Sequence, residues 1–196
     1  MTRQFLFWQT DAWRAYCAAY GGPVMNNDSP DNIIVPLGPE PEMLANTRPT
    51  HRACIRKAAY DLTVVVSPDD PLFGEYQRLH ERELASKGIP ERPQATFDIM
   101  RSWLGTHAVL FLAKDGEYVG AALFFIYGEG AYYASSARLP GARGPIGHFL
   151  VWSAMKSLAL RGYEWLDLGH PHLDTDPSGG IASFKKGFMS RVKVPT

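Results

Sequence analysis

Three apolar runs in the middle of the chain alternate with short polar turns and predict the centre of a β-sheet. They cover residues 108–114, 117–127 and 130–136. The tripeptide Lys-Asp-Gly separates the first two runs, and Gly-Glu-Gly separates the last two. Because Asp-Gly between apolar runs favours a tight hairpin, this pattern predicts an antiparallel meander of three strands.

Helical periodicity surrounds the meander. It predicts helices over residues 10–20, 51–60, 71–87, 97–104 and 146–160, and a last helix after the glycine pair at 179–180. Shorter β-rich segments predict strands at 33–35, at 62–66 and within 163–169. The proline-rich stretch PLGPEPE, residues 36–42, is interpreted as a loop or linker.

This order of elements predicts one α/β fold. Helices that flank a meander, and a helix that feeds one more strand, favour a central mixed, mostly antiparallel sheet flanked by helices. We expect residues 1–49 to form a reduced N-terminal segment that packs on a main domain of residues 50–196.

The net charge, the cysteines and the length of the apolar runs exclude several classes of protein. The formal net charge is zero, which excludes a surface coated in positive charge but allows a local basic patch. Cys17 and Cys54 stand apart with no CxxC pair, so a reducing cytoplasm is expected. Asp11 and Arg14 interrupt the aromatic N-terminus, and no run approaches the roughly 18 apolar residues that a membrane span needs.

Four segments in this order resemble the FemABX-like transferases, which use the GNAT acyltransferase fold. They are HRACIRKAAYDLTV (51–64), KDGEYVGAALFFIYGEGAYY (114–133), FLVWSAMKSLALRGYEWLDLG (149–169) and GGIASFKKGF (179–188). The resemblance implies an aminoacyltransferase that forms an amide bond, with aminoacyl-tRNA as donor and an amine as acceptor. It implies no cofactor beyond that co-substrate.

Two departures from the family pattern shape the expected substrates. Only about 50 residues precede the basic helix, whereas the larger FemABX enzymes carry two such domains in tandem. The reduced N-terminal part favours a small peptide or peptidoglycan-precursor-like acceptor, free or bound to a carrier protein, as in cell-wall or natural-product synthesis. Coenzyme-A-dependent relatives usually have a Q/R-x-x-G-x-G/A loop, but Arg143 stands where a small residue belongs, and Pro145 removes an amide. An acyl-CoA-dependent N-acyltransferase is the alternative, and a non-catalytic binding module is the second.

Lys185 is the candidate catalytic cation. By resemblance, the lysine of the Phe-Lys motif lies at the reaction centre. A lysine between Phe184 and Phe188 can be held partly dry, where its charge acts more strongly on a developing oxyanion. Phe184 is expected to pack the site. Asp167, at the end of a strand, is either a buried structural acceptor or a group that orients the amine or the lysine.

Six residues are candidates to bind substrate: Arg52, Arg56, Tyr60, Tyr133, His170 and Ser183. Arg52, Arg56 and Tyr60 are spaced to share one helix face, which is either an anion-docking surface or an ordinary solvated face. Tyr133 belongs to the core or to the wall of the pocket.

Basic residues near both ends of the main domain are candidates to bind tRNA phosphates: Lys57, Lys186, Arg191 and Lys193. Lys186 follows Lys185 directly, and adjacent helical residues diverge by about 100°, so we expect it to face solvent.

The HPHLDTD stretch, residues 170–176, has the H-x-H-x-D spacing of some hydrolytic metal sites. Such sites need further histidines downstream, and none follows His172. We therefore predict no metal site, and a polar loop near the mouth of the pocket.

Overall fold

The computed structural model describes residues 5–21, 29–171 and 179–189. In these ranges one six-stranded sheet is flanked by helices. The strands are β1 (Ile34–Pro36), β2 (Asp61–Val65), β3 (Ala108–Asp115), β4 (Glu117–Tyr127), β5 (Gly130–Arg138) and β6 (Trp165–Asp167). The α-helices are α1 (Asp11–Tyr20), α2 (Glu40–Asn46), α3 (Pro49–Lys57), α4 (Phe73–Ser86), α5 (Gln94–Ser102), α6 (Ile146–Leu160) and α7 (Gly180–Lys186).

The predicted fold class is confirmed. The strand order is β1-β6-β5-β4-β3-β2, and β3, β4 and β5 form the predicted antiparallel meander. Every neighbouring pair is antiparallel except β5 and β6, so the sheet is mixed. The predicted bounds of α6, residues 146–160, are those observed.

The centre of the sheet is covered on both faces, which explains the continuous apolar runs of β3 and β4. A methyl group at Gly120 of β4 would meet Ile146 of α6, so this side of β4 faces α6. Ser135 of β5 contacts Tyr76 of α4 on the other side. Among the described helices, even the apolar α6 is not long enough to cross a membrane.

The parallel pair β5–β6 opens a gap in the sheet. The two strands pair only from Gly130 to Tyr132, opposite Trp165 to Asp167. β5 then continues to Arg138, and within the described residues no strand pairs with it on that side. β6 ends before Gly169, whose φ of 73° is a left-handed conformation. Four residues of this part of β5 line a cleft: Tyr133, Ser136, Ala137 and Arg138.

One predicted loop was wrong, because α2 begins within residues 36–42. Pro39 precedes the helix and Pro41 lies in its first turn, where a missing N–H costs nothing. The negative charges of Glu40 and Glu42 in that turn also interact favourably with the positive end of the helix dipole. Prolines that look like helix breakers are therefore part of a helix start.

The helix predicted over residues 51–60 is also displaced. α3 spans Pro49–Lys57, so Tyr60 lies beyond its end and not on its face. The predicted alignment of Arg52, Arg56 and Tyr60 along a single helix is therefore wrong for Tyr60.

Residues before position 50 contribute to the sheet and its core. β1 pairs with β6 at the edge of the sheet. The rings of Phe7 and Trp13 lie 5.6 and 6.2 Å from that of Phe125 in β4, and all three are buried. Such a cluster buries a large apolar area and ties the N-terminal segment to the sheet.

Gly130 gives a stability test of the β5–β6 pair. A Cβ at this position would lie 2.2 Å from the ring of Trp165, its partner in register. We expect Gly130→Ala to destabilise the fold by about 1–3 kcal/mol, measured by urea unfolding, because an overpacked core must move. Gly74→Ala is the control, since its Cβ meets nothing within 4 Å. Equal stability of the two variants would contradict this packing.

Candidate active site

The adjacent lysines of α7 have opposite environments. Lys185 is 7% exposed and Lys186 is exposed to solvent. The helix starts after Gly179 in a left-handed conformation, and its buried side carries Ala182 and Lys185. The divergence of about 100° between adjacent residues places one ammonium group inside the molecule and the other outside.

The buried ammonium lies where β6 ends. Lys185 Nζ donates a hydrogen bond of 2.7 Å to the carbonyl oxygen of His170. A Cβ at Gly169 would lie 3.6 Å from Lys185 Nζ and 3.2 Å from the hydroxyl of Tyr132. The left-handed φ of Gly169 favours glycine at the point where this turn, the Tyr132 hydroxyl and the Lys185 ammonium group converge.

The carboxylate of Asp167 stabilises this turn through hydrogen bonds. Its carboxylate accepts hydrogen bonds from Gly169 N at 2.6 Å and from Asn32 Nδ2 at 2.9 Å. Burial lowers the pKa of Lys185, and the negative charge of Asp167 opposes that shift. The buried carboxylate therefore both fixes the backbone of the turn and favours the charged form of the lysine.

A cleft of about 670 Å³ reaches Lys185 from the surface. Residues of α3, α6, α7 and β5 form most of its wall. Its ionisable residues are Cys54, Lys57, Glu83, Tyr133, Arg138, His148 and Lys185. The volume lies in the range of sites that enclose a small molecule or the reacting end of a larger one.

The N-terminal end of α6 also opens to this cleft. Gly144, Pro145 and Gly147 line it, and Pro145 stands at the N-cap of the helix. A hydrogen bond from Tyr60 stabilises the preceding loop, because the Tyr60 hydroxyl donates to the carbonyl oxygen of Arg143 at 3.1 Å. A helix start that faces a cleft can interact with a negatively charged group.

Comparisons with known proteins agree with this geometry. Residues 45–186 match the sequence model of the Acetyltransferase (GNAT) domain family. The chain belongs to this family. Members of this family are acetyltransferases by name. The predicted resemblance to FemABX-like proteins of the GNAT fold is confirmed as well, since FemX is among the similar solved structures. No curated protein matches the sequence.

Solved structures with this GNAT fold include FemX, which matches with a TM-score of 0.63 and 17% identity over 82% of this chain and 60% of that one. The C-terminal domain of a putative lysylphosphatidylglycerol synthetase from Agrobacterium fabrum matches with a TM-score of 0.60 and 18% identity, over 80% of this chain and 55% of that one. L-PGS from Bacillus licheniformis matches with a TM-score of 0.51 and 14% identity, over 70% and 44%. This GNAT domain thus spans little more than half of the first two proteins.

The candidate residues Phe184, Tyr133 and Lys57 line the cleft of this GNAT domain together with Lys185. Burial raises the pKa of the half-buried Tyr133 to about 12, so its hydroxyl stays protonated well above neutral pH. Lys57 is exposed at the C-terminal end of α3. The fold brings these residues together at one cleft, and their roles in binding or catalysis stay predictions.

The other candidate residues that the structure describes are not part of the cleft lining. The guanidinium of Arg52 donates to the carbonyl oxygens of Ala45 and Thr47 at the end of α2, which gives it a helix-capping contact. Arg56 is exposed. The imidazole of His170 faces Asp31 at 3.9 Å, and its backbone carbonyl oxygen accepts the hydrogen bond from Lys185.

Ser183 is exposed, and its hydroxyl accepts a hydrogen bond of 3.1 Å from Arg48. Its contact is therefore with the residue that precedes α3. Of the predicted tRNA-binding residues, Arg191 and Lys193 lie outside the described residues.

The sequence reasoning missed part of the cleft wall, above all His148, Glu83 and Arg138. Glu83 comes from α4 and accepts a hydrogen bond of 2.8 Å from the backbone N–H of Arg138. No local spacing marks these residues, since each comes from a different element. Only the packing of α4 and α6 against the sheet brings them together.

Among the described residues, no group of three His, Cys, Asp or Glu side chains is arranged to hold a metal ion. His172 and Asp174 of the HPHLDTD stretch lie outside the described residues. The absence of a metal site therefore stays a prediction.

Asp167→Asn tests the electrostatic support of Lys185. Removing the negative charge should lower the pKa of Lys185 further, so its neutral form should appear at lower pH. The asparagine amide also faces the amide donor of Asn32, and we expect a loss of about 1–3 kcal/mol of stability. The pH dependence of Lys185 acetylation, followed by mass spectrometry, measures the shift. Asp31→Asn is the control, and an unchanged or raised Lys185 pKa in Asp167→Asn would refute this role.

Proposed function

We propose that this GNAT domain transfers an aminoacyl group from aminoacyl-tRNA to the amine of a small peptide or cell-wall-type precursor, free or carried by a protein. The observation that supports it is the buried ammonium group of Lys185 at the end of an open cleft, beside the gap between β5 and β6. A buried cation facing a substrate cleft is suited to a reaction that develops negative charge on oxygen.

Lys185 would serve the aminolysis of an ester. The neutral acceptor amine attacks the ester carbonyl carbon, a C–N bond forms, and the carbonyl oxygen becomes an oxyanion. The Lys185 ammonium group stabilises that oxyanion, more strongly in a partly dry site than in water. When the intermediate collapses, the C–O bond to the ribose breaks, and the proton lost by the amine ends on the departing ribose hydroxyl.

The aminoacyl donor is supported by two kinds of evidence. The Phe-Lys motif resembles that of FemABX-like enzymes, which use aminoacyl-tRNA. One of the similar solved structures is a putative lysylphosphatidylglycerol synthetase by name, and that name describes an aminoacylated product. Exposed Lys57 at the cleft and exposed Lys186 beside it offer contacts for phosphates of a large anionic donor.

An acyl-CoA thioester is the second candidate donor, and the N-terminal end of α6 favours it. Gly144 and Gly147 line the cleft there, where a helix start attracts phosphate. Arg143 and Pro145 depart from the loop pattern usual in coenzyme-A-dependent enzymes, which is why aminoacyl-tRNA is preferred. The chemistry at Lys185 is the same for both donors, since each has an activated carbonyl carbon.

The experiment that tests the proposal is a transfer assay with radiolabelled amino acids charged on total tRNA. Small peptides with free amines serve as acceptors, and mass spectrometry identifies the product. We expect one or a few amino acids to appear in a stable amide. If no charged amino acid is transferred while an acyl-CoA thioester is, the donor assignment is wrong.

A further inference from the structure

The short helix that carries Lys185 is held by polar contacts from α3 and from Arg48, the residue before it. His51 Nε2 lies 2.9 Å from the carbonyl oxygen of Phe184, so Nε2 carries the proton and donates it. The backbone N–H of Arg48 donates to the carbonyl oxygen of Gly187 at 2.8 Å. Together with the bond from Arg48 to Ser183, these contacts fix α7 on both sides of Lys185.

A second histidine, His148 of α6, packs beside His51. The rings of His51 and His148 lie 4.4 Å apart, edge to face. His148 also contacts Phe184 at 5.1 Å, and His51 contacts Phe188 at 5.0 Å. Two histidines that lie 97 positions apart in the chain thus form a cluster with the two phenylalanines that flank Lys185.

Gly187 shows how closely this cluster is fitted. A Cβ at Gly187 would lie 2.1 Å from His51 Nε2. His51 is also 6% exposed. The imidazole therefore occupies a place that leaves no room for another side chain on the turn after α7.

We propose that His51 and His148 are positioning residues that hold α7 between α3 and α6 and so fix the place of Lys185 in the cleft. Phe184 immediately precedes Lys185, so holding its carbonyl group and its ring sets the backbone from which the lysine side chain starts. The role rests on the proposed function in one respect, because Lys185 is taken as the catalytic cation.

Both imidazoles are neutral at neutral pH. Burial lowers the pKa of His148 to about 4, with a smaller contribution from His51. Burial also lowers the pKa of His51, against the opposing effect of its bond to the Phe184 carbonyl, and nearby Arg48 lowers it further. Neutral rings pack against each other and against phenylalanine without repulsion.

The surroundings of the pair disfavour a positive charge. The ionisable groups that line the cleft together with His148 are Cys54 and Lys57 on α3, Lys185 on α7, Arg138 and Tyr133 on β5 and Glu83 on α4, and Arg48, which precedes α3, acts on His51. Glu83, the carboxylate among these groups, is already bonded to Lys87 and to the N–H of Arg138. Acid that protonates either histidine therefore places a charge among cations and should loosen α7.

Three variants separate the hydrogen bond from the ring. His51→Phe keeps a ring of similar size but loses the donor, while His51→Gln keeps an N–H that can reach the Phe184 carbonyl but cannot titrate. His107→Phe is the control, because His107 packs against Phe7 and Tyr127 and not against α7. Steady-state transfer gives kcat and KM, and acetylation of Lys185 relative to Lys186, read by tandem mass spectrometry, reports the environment of the lysine without any substrate.

We expect His51→Phe to lower kcat by about 10²-fold with little change in KM, since a misplacement near 1 Å costs about that much. The acetylation rate of Lys185 should approach that of exposed Lys186. His51→Gln should keep most of the wild-type kcat and the slow acetylation of Lys185 at neutral pH. It should also remove one ionisation from the acid limb of the pH–rate profile.

Unchanged acetylation and unchanged kcat in His51→Phe would overturn the proposal. If that variant does not fold, His148→Phe decides, with the same two readouts and the same expected changes. If no donor supports transfer but the acetylation pattern changes as expected, the positioning role stands and the proposed function fails. If transfer occurs and neither readout responds, only the positioning role fails.

Discussion

Replacing Lys185 by alanine should lower kcat by about 10²–10³-fold while the fold survives, because removal of one oxyanion-stabilising group typically has this effect. The side chain is buried at the end of the cleft, and its carbonyl partner is the backbone of His170. Its loss leaves that carbonyl oxygen next to the cleft, where water can replace the ammonium group.

Lys186→Ala is the matched control, since it removes the same side chain one position later on the exposed side of α7. We expect a far smaller effect on kcat at saturating donor. Thermal unfolding of both variants separates catalysis from stability. Equal losses of activity at the two positions, or a Lys185→Ala protein that is merely unfolded, would count against the assignment of Lys185.

Binding of tRNA should weaken steeply as salt rises, although the formal net charge is zero. The local cations are exposed Arg56 and Lys57 at the end of α3 and exposed Lys186 on α7, with Arg191 and Lys193 outside the described residues. With about 3–5 phosphate contacts and a slope of about 0.7–0.9 per phosphate, a fourfold rise in salt should weaken binding by roughly 10–10³-fold. Filter binding over a range of salt concentrations measures the slope.

Charge reversal identifies the cations responsible. Lys186→Glu should weaken binding and flatten the salt slope by about one unit or more, yet leave kcat unchanged once donor is saturating. Arg14→Glu is the control, because Arg14 belongs to α1, where it pairs with Asp11. A salt-independent affinity, or the same loss in Arg14→Glu, would argue against a specific tRNA-binding surface.

Local sequence patterns predicted most of the helices and strands, because turns and helical periodicity depend on residues that are close in the chain. The Asp-Gly and glycine turns set the meander, and the 3.6-residue period set the bounds of α6. The opposite environments of Lys185 and Lys186 also follow from helical geometry alone. The start of α2 was missed because Pro39 and Pro41 favour both loops and first helical turns.

The rest of the site depends on contacts between distant segments. Nothing near His51 in the sequence indicates His148, since only the packing of α3 against α6 makes their rings neighbours. Arg52 illustrates the same limit, because the sequence shows a cation on a helix but not the α2 carbonyl groups that it binds. Tertiary packing decides which polar residues face the cleft.

The most direct measurement of the central claim is amide formation by the purified protein from two donors, each with and without ribonuclease. One donor is total tRNA charged with amino acids, and the other is a set of acyl-CoA thioesters with the same acyl groups. The account predicts transfer from the aminoacyl-tRNA, its abolition by ribonuclease, and little or no product from the thioester. Ribonuclease-resistant transfer from the thioester alone would contradict it.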